Sequence, residues 1–347
     1  MSKALVLLSG GLDSLLAARV LMEQVIEVTG LSFKSCFFGT AKGKKVAEQL
    51  GIKHIAVDFA DEHLVMVKNP KHGYGKNMNP CIDCHALMLK KAKEIMEGDG
   101  YDFVATGEVL GERPMSQNRE ALKIVEKESG LFGKLIRPLS AKLLDESDLE
   151  KTGIVNRGRL LDISGRSRAR QLELVKKFGI KEFASPGGGC LLTDPVFSEK
   201  LLKILEFWPE ANGNDIELLK RGRAFWLKDE HDKNILLVIG RDEQDNENLE
   251  KLALGGDIII QPAEENGPTT LIRNSKSQFP ITKQTTNSKL QIPNELEIEI
   301  PDKLKVSELK LGEMKSADDI INLGLMLTGY YAAKLRGKKI KLSLINK

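Results

Sequence analysis

The chain has 347 residues, of which 41% are hydrophobic and 29% charged, and its formal net charge is +3. This length predicts roughly two or three domains. No stretch approaches the ~20 apolar residues that span a bilayer, and the small net charge does not by itself indicate a polyanionic partner. The amino terminus lacks the pattern of a secretory signal, so a cytoplasmic location is expected, and four cysteines are too few for a disulfide framework.

The first half of the chain alternates between short apolar runs and amphipathic segments. Residues 4–8 form a continuous apolar run, as expected for a strand that is buried on both faces of a parallel sheet. The other predicted elements are a helix that follows residue 14, strands at 25–33, 54–59 and 102–106, and helices at 44–50 and 86–96. This β-α-β alternation predicts an α/β fold with a doubly wound parallel sheet and a ligand crevice at the carboxyl ends of the strands.

A second, smaller domain is predicted after residues 208–213, whose composition is typical of a linker. The predicted elements that follow are short β-rich segments at 235–239, 257–261 and 296–300, an amphipathic helix at 317–335 and a basic strand at 338–344. The polar residues 275–294 predict a long loop. We therefore expect one domain at residues 1–207 and an α+β domain at residues 214–347.

A glycine-rich turn joins the first predicted strand to the first predicted helix. The turn consists of Ser9-Gly10-Gly11-Leu12-Asp13-Ser14, which places free backbone amides at the positive end of a helix dipole. Such a turn can bind phosphate, but its spacing is neither GxxxxGK[ST] nor GxGxxG. The alternative is a tight turn in which Ser14 or Asp13 caps the helix.

The hexapeptide SGGxDS resembles the PP-loop of the ATP pyrophosphatases, which cleave ATP between the α and β phosphates and transfer AMP to an oxygen atom. The resemblance implies an adenine nucleotide alpha hydrolase-like fold. It also implies that Asp13 is catalytic and helps to place Mg²⁺, whose preferred ligands are oxygens. The residues that would bind the pyrophosphate of ATP are Ser9, Gly10, Gly11 and Ser14.

Two cysteines, Cys81 and Cys84, follow Asn-Pro just before the predicted helix at 86–96. At that position the helix dipole is expected to lower the thiol pKa and to favour the thiolate. A third cysteine, Cys190, ends a glycine-rich segment that begins at residue 185. Cys36 is expected to be a small core residue. The histidines without metal-binding spacing, which are expected to be structural or exposed, are His54, His63, His72 and His231.

This cysteine pattern resembles that of the tRNA thiouridylases, in which NPCxxC and a distant cysteine in a glycine-rich loop handle sulfur. The resemblance implies either a catalytic acid/base or persulfide pair, Cys81 and Cys190, or a [4Fe-4S] cluster on Cys81, Cys84 and Cys190. The presence of Cys84 favours the cluster, because sulfide could bind at its open fourth iron. A third alternative is a zinc site with three cysteines, completed by His85.

Further motifs resemble the tRNA 4-thiouridine synthases, and the likeness covers roughly residues 1–200. They are Thr106-Gly107-Glu108, Leu110-Gly111, Ser116-Gln117 and Arg137-Pro138-Leu139. The resemblance implies that Thr106 and Gly107 line the AMP pocket and that Gln117 lies near the nucleotide or the target uridine. Glu112 and Arg113 depart from the family, which carries Gln and an apolar residue there.

Arginines are concentrated in two regions that we interpret as candidate RNA-binding surfaces. The first region contains Arg157, Arg159, Arg166, Arg168 and Arg170. This density indicates a phosphate-backbone footprint, or alternatively a solvated helix face. In the second region, the motifs around Arg221, Arg223 and Arg241 resemble the predicted RNA-binding domain of the NFACT family. The alternative there is a small accessory or dimerisation domain.

Together these resemblances imply an ATP-dependent tRNA sulfurtransferase that adenylates a uridine carbonyl and replaces its oxygen with sulfur, giving 4-thiouridine or 2-thiouridine. The expected partners are tRNA and a sulfur donor, either inorganic sulfide or a cysteine desulfurase, and homodimer formation stays open. Two other hypotheses remain. One is a PP-loop ligase that acts on a small molecule and has a structural zinc site. The other is a non-catalytic RNA-binding protein that binds nucleotide as a ligand.

Overall fold

The computed structural model describes residues 1–183, 190–229, 231–274, 295–304 and 316–347. The chain divides into two compact units, Met1–Ser198 and Glu199–Lys347. The expected domain limits, 1–207 and 214–347, stay a prediction. Residues 185–189 of the glycine-rich segment and the predicted loop at 275–294 lie outside the described residues.

Within the described residues, the first unit is built on a five-stranded parallel sheet with the strand order β3-β2-β1-β4-β5. The strands are β1 (Lys3–Leu7), β2 (Glu27–Lys34), β3 (Lys53–Asp58), β4 (Phe103–Ala105) and β5 (Leu135–Ile136). Strand β1 lies in the centre and pairs with β2 on one side and β4 on the other. The doubly wound parallel sheet is therefore confirmed, and its switch point lies at the end of β1, where the glycine-rich turn begins.

Helices cover both faces of this sheet. They are α1 (Leu12–Met22), α2 (Ala41–Leu50), α3 (Ala60–Lys68), α4 (Cys81–Asp99), α5 (Arg119–Ser129), α6 (Asp148–Lys151) and α7 (Ala169–Lys177). Ala4 and Val6 face a core formed with α1 and α2, whereas Leu5 faces a core formed with α4 and α5. Because successive side chains of a strand point to opposite faces, the apolar run of β1 is buried on both sides, as predicted.

Two predicted boundaries in the first unit are wrong. The helix expected at 86–96 begins at Cys81, so the first two site cysteines lie within its first turn. The strand expected from residue 25 begins at Glu27. Val25 has a φ of 60°, which is outside the strand region, and it ends the turn that follows α1.

Helix α8 (Pro195–Phe207) runs across the division between the units. The second unit contains, among the described residues, an antiparallel sheet with the order β10-β11-β8-β9-β7-β6. Its strands and helices are α9 (Gly213–Leu219), β6 (Arg223–Lys228), β7 (Asn234–Ile239), α10 (Glu243–Leu252), β8 (Ile258–Pro262), β9 (Thr270–Asn274), β10 (Glu295–Glu299), α11 (Ala317–Tyr331) and β11 (Lys339–Asn346). The predicted α+β architecture of this unit is confirmed.

Helix α11 lies on the sheet of the second unit, because Gly324 allows it to approach Ile260 and Ile272 closely. The residues predicted to form a linker are part of this unit: Trp208 is buried and its indole N–H donates to the carbonyl of Asn234. In the described parts of the chain, no helix has both the length and the apolarity that a membrane crossing requires.

Candidate active site in the first unit

The glycine-rich turn leaves the first amides of α1 without a side-chain cap. Gly11 is the N-cap residue, and no side chain among the described residues accepts a hydrogen bond from the first turn. The Ser9 hydroxyl accepts from the Gly11 amide at 3.2 Å, and the Ser14 hydroxyl donates to the Gly11 carbonyl at 2.9 Å. The alternative in which Ser14 or Asp13 caps the helix is therefore wrong. The amides at this helix terminus are open to an anion.

Two glycines allow other segments to approach the turn. Gly10 has a φ of +83°, and a Cβ atom there would overlap the side chain of Lys42 in α2. At Gly107, which follows β4, a Cβ atom would lie 2.5 Å from the Ser14 amide nitrogen and 2.6 Å from the Asp13 carbonyl carbon. The Thr-Gly motif thus lies directly against the predicted PP-loop.

The Asp13 carboxylate belongs to a polar cluster. The cluster includes Glu112, a position where this sequence departs from the 4-thiouridine synthases. Asp13 Oδ1 accepts from Gln171 Nε2 at 3.2 Å, and Asp13 Oδ2 lies 3.7 Å from the Arg168 guanidinium. The same guanidinium is 3.2 Å from Glu112 Oε1. Burial and then the negative charge of Asp13 raise the pKa of Glu112. Glu112 therefore faces Asp13, so the cluster contains two carboxylates and one arginine.

The three predicted sulfur ligands face one another. Burial raises the pKa of Cys84 well above its usual value, and the charges of Cys190 and Cys81 raise it further. Burial also raises the pKa of Cys190, to about 11, with a contribution from Cys81. The expected lowering of the thiol pKa is wrong, because burial and like charges outweigh the helix dipole. Cys36 is buried, as predicted.

One loop, residues 109–117, faces both the turn and the thiols. The guanidinium of Arg113 lowers the pKa values of Cys81 and Cys190 and so partly offsets their burial. Its neighbour Glu112 faces Asp13, as described above. Gln117, expected near the nucleotide or the uridine, accepts a hydrogen bond from the Arg113 amide at 3.2 Å and holds the loop.

A buried ion pair supports this loop from below. Arg137 Nε donates to Glu108 Oε2 at 3.0 Å, and both side chains are buried. Glu108 also accepts from Thr106 Oγ1 at 2.9 Å and lies 2.8 Å from His85 Nδ1. Burial opposes the ionisation of Glu108, but the positive charge of Arg137 and the hydrogen bond from His85 outweigh it and hold the pKa of Glu108 well below its usual value. The hydroxyl of Thr106, expected to line the AMP pocket, donates its hydrogen bond to the Glu108 carboxylate.

Replacing Glu108 with glutamine is expected to lower the free energy of unfolding by ~3 kcal/mol, because the buried Arg137 guanidinium would lose one of its two carboxylate partners and keep only Glu126. Urea denaturation of the full chain measures this loss. The matched control is Glu146→Gln, since Glu146 is exposed. The control should change the stability by less than ~0.5 kcal/mol. Equal effects of the two variants would contradict the role of the Glu108 pair.

The sequence did not indicate that His63 contacts the thiols. This histidine is fully buried in α3, and its Nε2 lies 3.1 Å from Cys84 Sγ. Burial lowers the pKa of His63 to about 4. No motif spacing could have indicated this contact, because His63 and Cys84 lie on different helices.

A further histidine, His72, lies near Asp83 and Glu128. In the described parts of the chain, these three are the one group whose metal-ligand atoms all lie within 4.8 Å of one another. Asp83 already accepts hydrogen bonds from the amides of Lys71 and His72, so it ties the preceding loop to α4.

The arginines predicted to bind RNA differ in whether they already form ion pairs within the protein. Those in ion pairs with carboxylates are Arg157 with Glu150, Arg168 with Glu112, Arg170 with Asp162, Arg221 with Glu217 and Arg241 with Asp245. Arg223 instead lies over the ring of Tyr331, 4.5 Å from its centroid. Arg159 and Arg166 are exposed and have no ion pair with a described residue.

Part of the chain is similar to a known protein family. Residues 2–129 match the family model described as "tRNA methyl transferase HUP domain". The matched residues include the glycine-rich turn, Cys81, Cys84, the Thr-Gly motif and the loop at 109–117, whereas Cys190 follows them in the chain.

The curated proteins similar to this chain include several named tRNA-specific 2-thiouridylase MnmA. The MnmA protein of Treponema denticola is 34% identical over 123 residues, which are 30% of this chain and 32% of that protein. The MnmA 1 protein of Fusobacterium nucleatum is 26% identical over 225 residues, which are 61% of this chain and 56% of that protein. The chain thus spans about a third to just over half the length of these relatives.

A search of solved structures finds a 4-thiouridine synthetase in complex with RNA and ATP. It is 21% identical with a TM-score of 0.35, and the match covers 63% of this chain and 52% of that one.

Proposed function

We propose that this chain is an ATP-dependent tRNA sulfurtransferase that adenylates a uridine carbonyl oxygen and replaces it with sulfur. The observation that carries the proposal is the loop at 109–117, in which Glu112 faces Asp13 of the glycine-rich turn and Arg113 faces Cys81 and Cys190. An enzyme that activates and then thiolates one carbon needs a nucleotide site and a sulfur site close together. The names of the curated relatives support tRNA as the substrate.

The chemistry assigned to the turn is adenylation. Oxide is a poor leaving group, so the uridine oxygen first attacks the α-phosphorus of ATP, and pyrophosphate leaves. The open amides at the start of α1 and the hydroxyls of Ser9 and Ser14 would stabilise the negative charge that develops on pyrophosphate. Asp13 would hold Mg²⁺ through its carboxylate. In the second step a carbon–sulfur bond forms, the carbon–oxygen bond breaks and AMP leaves.

The residues that would handle sulfur are Cys81, Cys84 and Cys190. A structural zinc site would need a fourth protein ligand, and the expected one, His85, has its Nδ1 2.8 Å from Glu108 Oε1. We propose that the three thiols instead hold a [4Fe-4S] cluster, which three cysteines can bind with one iron left open. When bound, such a cluster supplies an open iron position for sulfide. A pair of Cys81 and Cys190 alone is less favoured, because burial raises both pKa values and so lowers the fraction of reactive thiolate.

We propose that the protein works in the cytoplasm, with sulfide or a cysteine desulfurase as the sulfur donor. We also propose that the second unit provides a surface that contacts RNA. Two arginines of this unit lie over tyrosine rings: Arg223 over Tyr331, and Arg336 over Tyr330 at 4.3 Å from the centroid. Arginine interleaved with aromatic rings is typical of surfaces that bind backbone phosphates and unstacked bases. This supports the NFACT-like interpretation. The target uridine must be unstacked to reach the turn.

The test of the function is ATP–pyrophosphate exchange with and without tRNA, followed by mass spectrometry of the nucleosides after sulfide is added. We expect exchange only with tRNA, thiouridine in the product, and neither in Asp13→Asn. Exchange without RNA would indicate the small-molecule ligase, and absence of exchange would indicate the adaptor. A visible spectrum after anaerobic purification should show the broad brown absorption of a cluster. Equimolar zinc without iron would contradict it.

A further inference from the structure

Three phenyl rings and one sulfur atom lie around the imidazole of His63. The ring centroids of Phe37, Phe38 and Phe59 lie 5.6, 5.3 and 4.9 Å from that of His63. Nε2 lies 3.1 Å from Cys84 Sγ. Nδ1 is buried and has no hydrogen-bond partner among the described residues. Among the described residues, the side chain thus makes one polar contact, and that contact is to a predicted sulfur ligand.

The unpartnered nitrogen indicates the direction of this hydrogen bond. A neutral imidazole carries one proton, on either Nδ1 or Nε2. If the Cys84 thiol donated to Nε2, the proton on Nδ1 would be a buried donor without an acceptor, which native proteins rarely tolerate. If Nε2 carries the proton, it donates to the Cys84 sulfur, and Nδ1 is a bare acceptor. The second arrangement leaves no N–H group unsatisfied.

A Cys84 thiolate is unfavourable without a cation. Its sulfur lies in the first turn of α4 against the buried His63 ring, so a bare thiolate there would be a poorly solvated charge. A positively charged metal centre on the three sulfurs would stabilise the thiolate, which accepts the hydrogen bond from Nε2–H more strongly than a thiol does.

We propose that His63 is a positioning residue of the metal centre, and that its Nε2–H donates to the metal-bound thiolate of Cys84. This inference rests on the proposed function of the three thiols. Outer-shell hydrogen-bond partners orient metal ligands, and their loss typically weakens metal binding about 10–100-fold. A hydrogen bond to a cluster sulfur also favours the reduced state, so its loss should shift the midpoint potential to more negative values.

The test compares His63→Phe with His63→Gln in the full chain. Phenylalanine fits a pocket lined by three phenyl rings but has no donor, whereas the glutamine amide can place an N–H group near the position of Nε2. Iron and acid-labile sulfide per chain and the midpoint potential are measured on anaerobically purified protein. We expect the Phe variant to retain iron at least ~10-fold less tightly, with a more negative potential, and the Gln variant to recover both properties in part.

Equal iron retention and potential in wild type and the Phe variant would overturn the proposal, and so would equal defects in the two variants, since packing alone would explain them. A wild-type protein without iron would refute the cluster. The same three proteins are then titrated with Co²⁺, whose thiolate charge-transfer band reports binding. A ~10-fold weaker Co²⁺ affinity of the Phe variant alone supports the His63 donor. Equal affinities, or no binding by the wild type, overturn it.

Discussion

Cys190→Ala is expected to reduce thiouridine formation to below ~1% of the wild-type rate, while tRNA-dependent ATP–pyrophosphate exchange continues. The reason is that Cys190 faces the other two thiols, whereas the Asp13 carboxylate and the open amides of α1 do not depend on it. Mass spectrometry of the tRNA nucleosides measures the first quantity, and labelled pyrophosphate measures the second. Asp13→Asn should instead lose exchange itself and, with it, thiouridine formation.

The matched control for this prediction is Cys36→Ala. Cys36 is a buried cysteine of the same unit, so the control tests for a general effect of losing a thiol. It should retain both activities at a modest cost in stability. Normal thiouridine yield in the Cys190 variant, or an equal loss in the Cys36 variant, would remove Cys190 from the proposed sulfur site.

Gly107→Ala is expected to reduce ATP–pyrophosphate exchange by ~100-fold without unfolding the protein. The added Cβ atom would lie 2.5 Å from the Ser14 amide nitrogen, so the PP-loop backbone must move. Gly107 does not have a positive φ, so the expected effect is steric displacement of the loop. Steady-state exchange kinetics and ATP affinity measured by calorimetry give the size of the effect.

The control for this substitution is Gly98→Ala in α4. A Cβ atom at Gly98 would meet no described atom within 4 Å, and its φ is also not positive. Exchange should be unchanged, and the stability should rise by up to ~1 kcal/mol through helix propensity. If the two alanine variants bind ATP equally well, the close contact between Gly107 and the turn does not matter for nucleotide binding.

The sequence predicted those features that depend on neighbouring residues. The apolar run of β1, the glycine-rich turn and the alternation of strands and helices follow from local pattern, and the parallel sheet follows from their order. The NPCxxC and Thr-Gly-Glu motifs were found for the same reason. Their relative positions in space were not evident from the sequence.

The features that the sequence missed depend on tertiary packing. His63 meets Cys84 because α3 packs against α4, and no residue near His63 in the chain indicates this. The pKa direction of the thiols was wrong because their burial is not visible in the sequence, whereas the helix dipole is. Glu108 and Arg137 were each part of a recognised motif, but their ion pair forms across the end of the sheet.

Glu112 and Arg113 are adjacent in the chain and serve different halves of the proposed reaction. Because one peptide bond joins them, the distance between the Glu112 carboxylate near Asp13 and the Arg113 guanidinium near the cysteines is limited by the backbone. An insertion elsewhere in the loop that shifts one of these side chains also shifts the other, whereas a substitution changes one charge alone. We expect homologues that have lost the thiols to vary at position 113, and to vary at position 112 only where Asp13 varies as well.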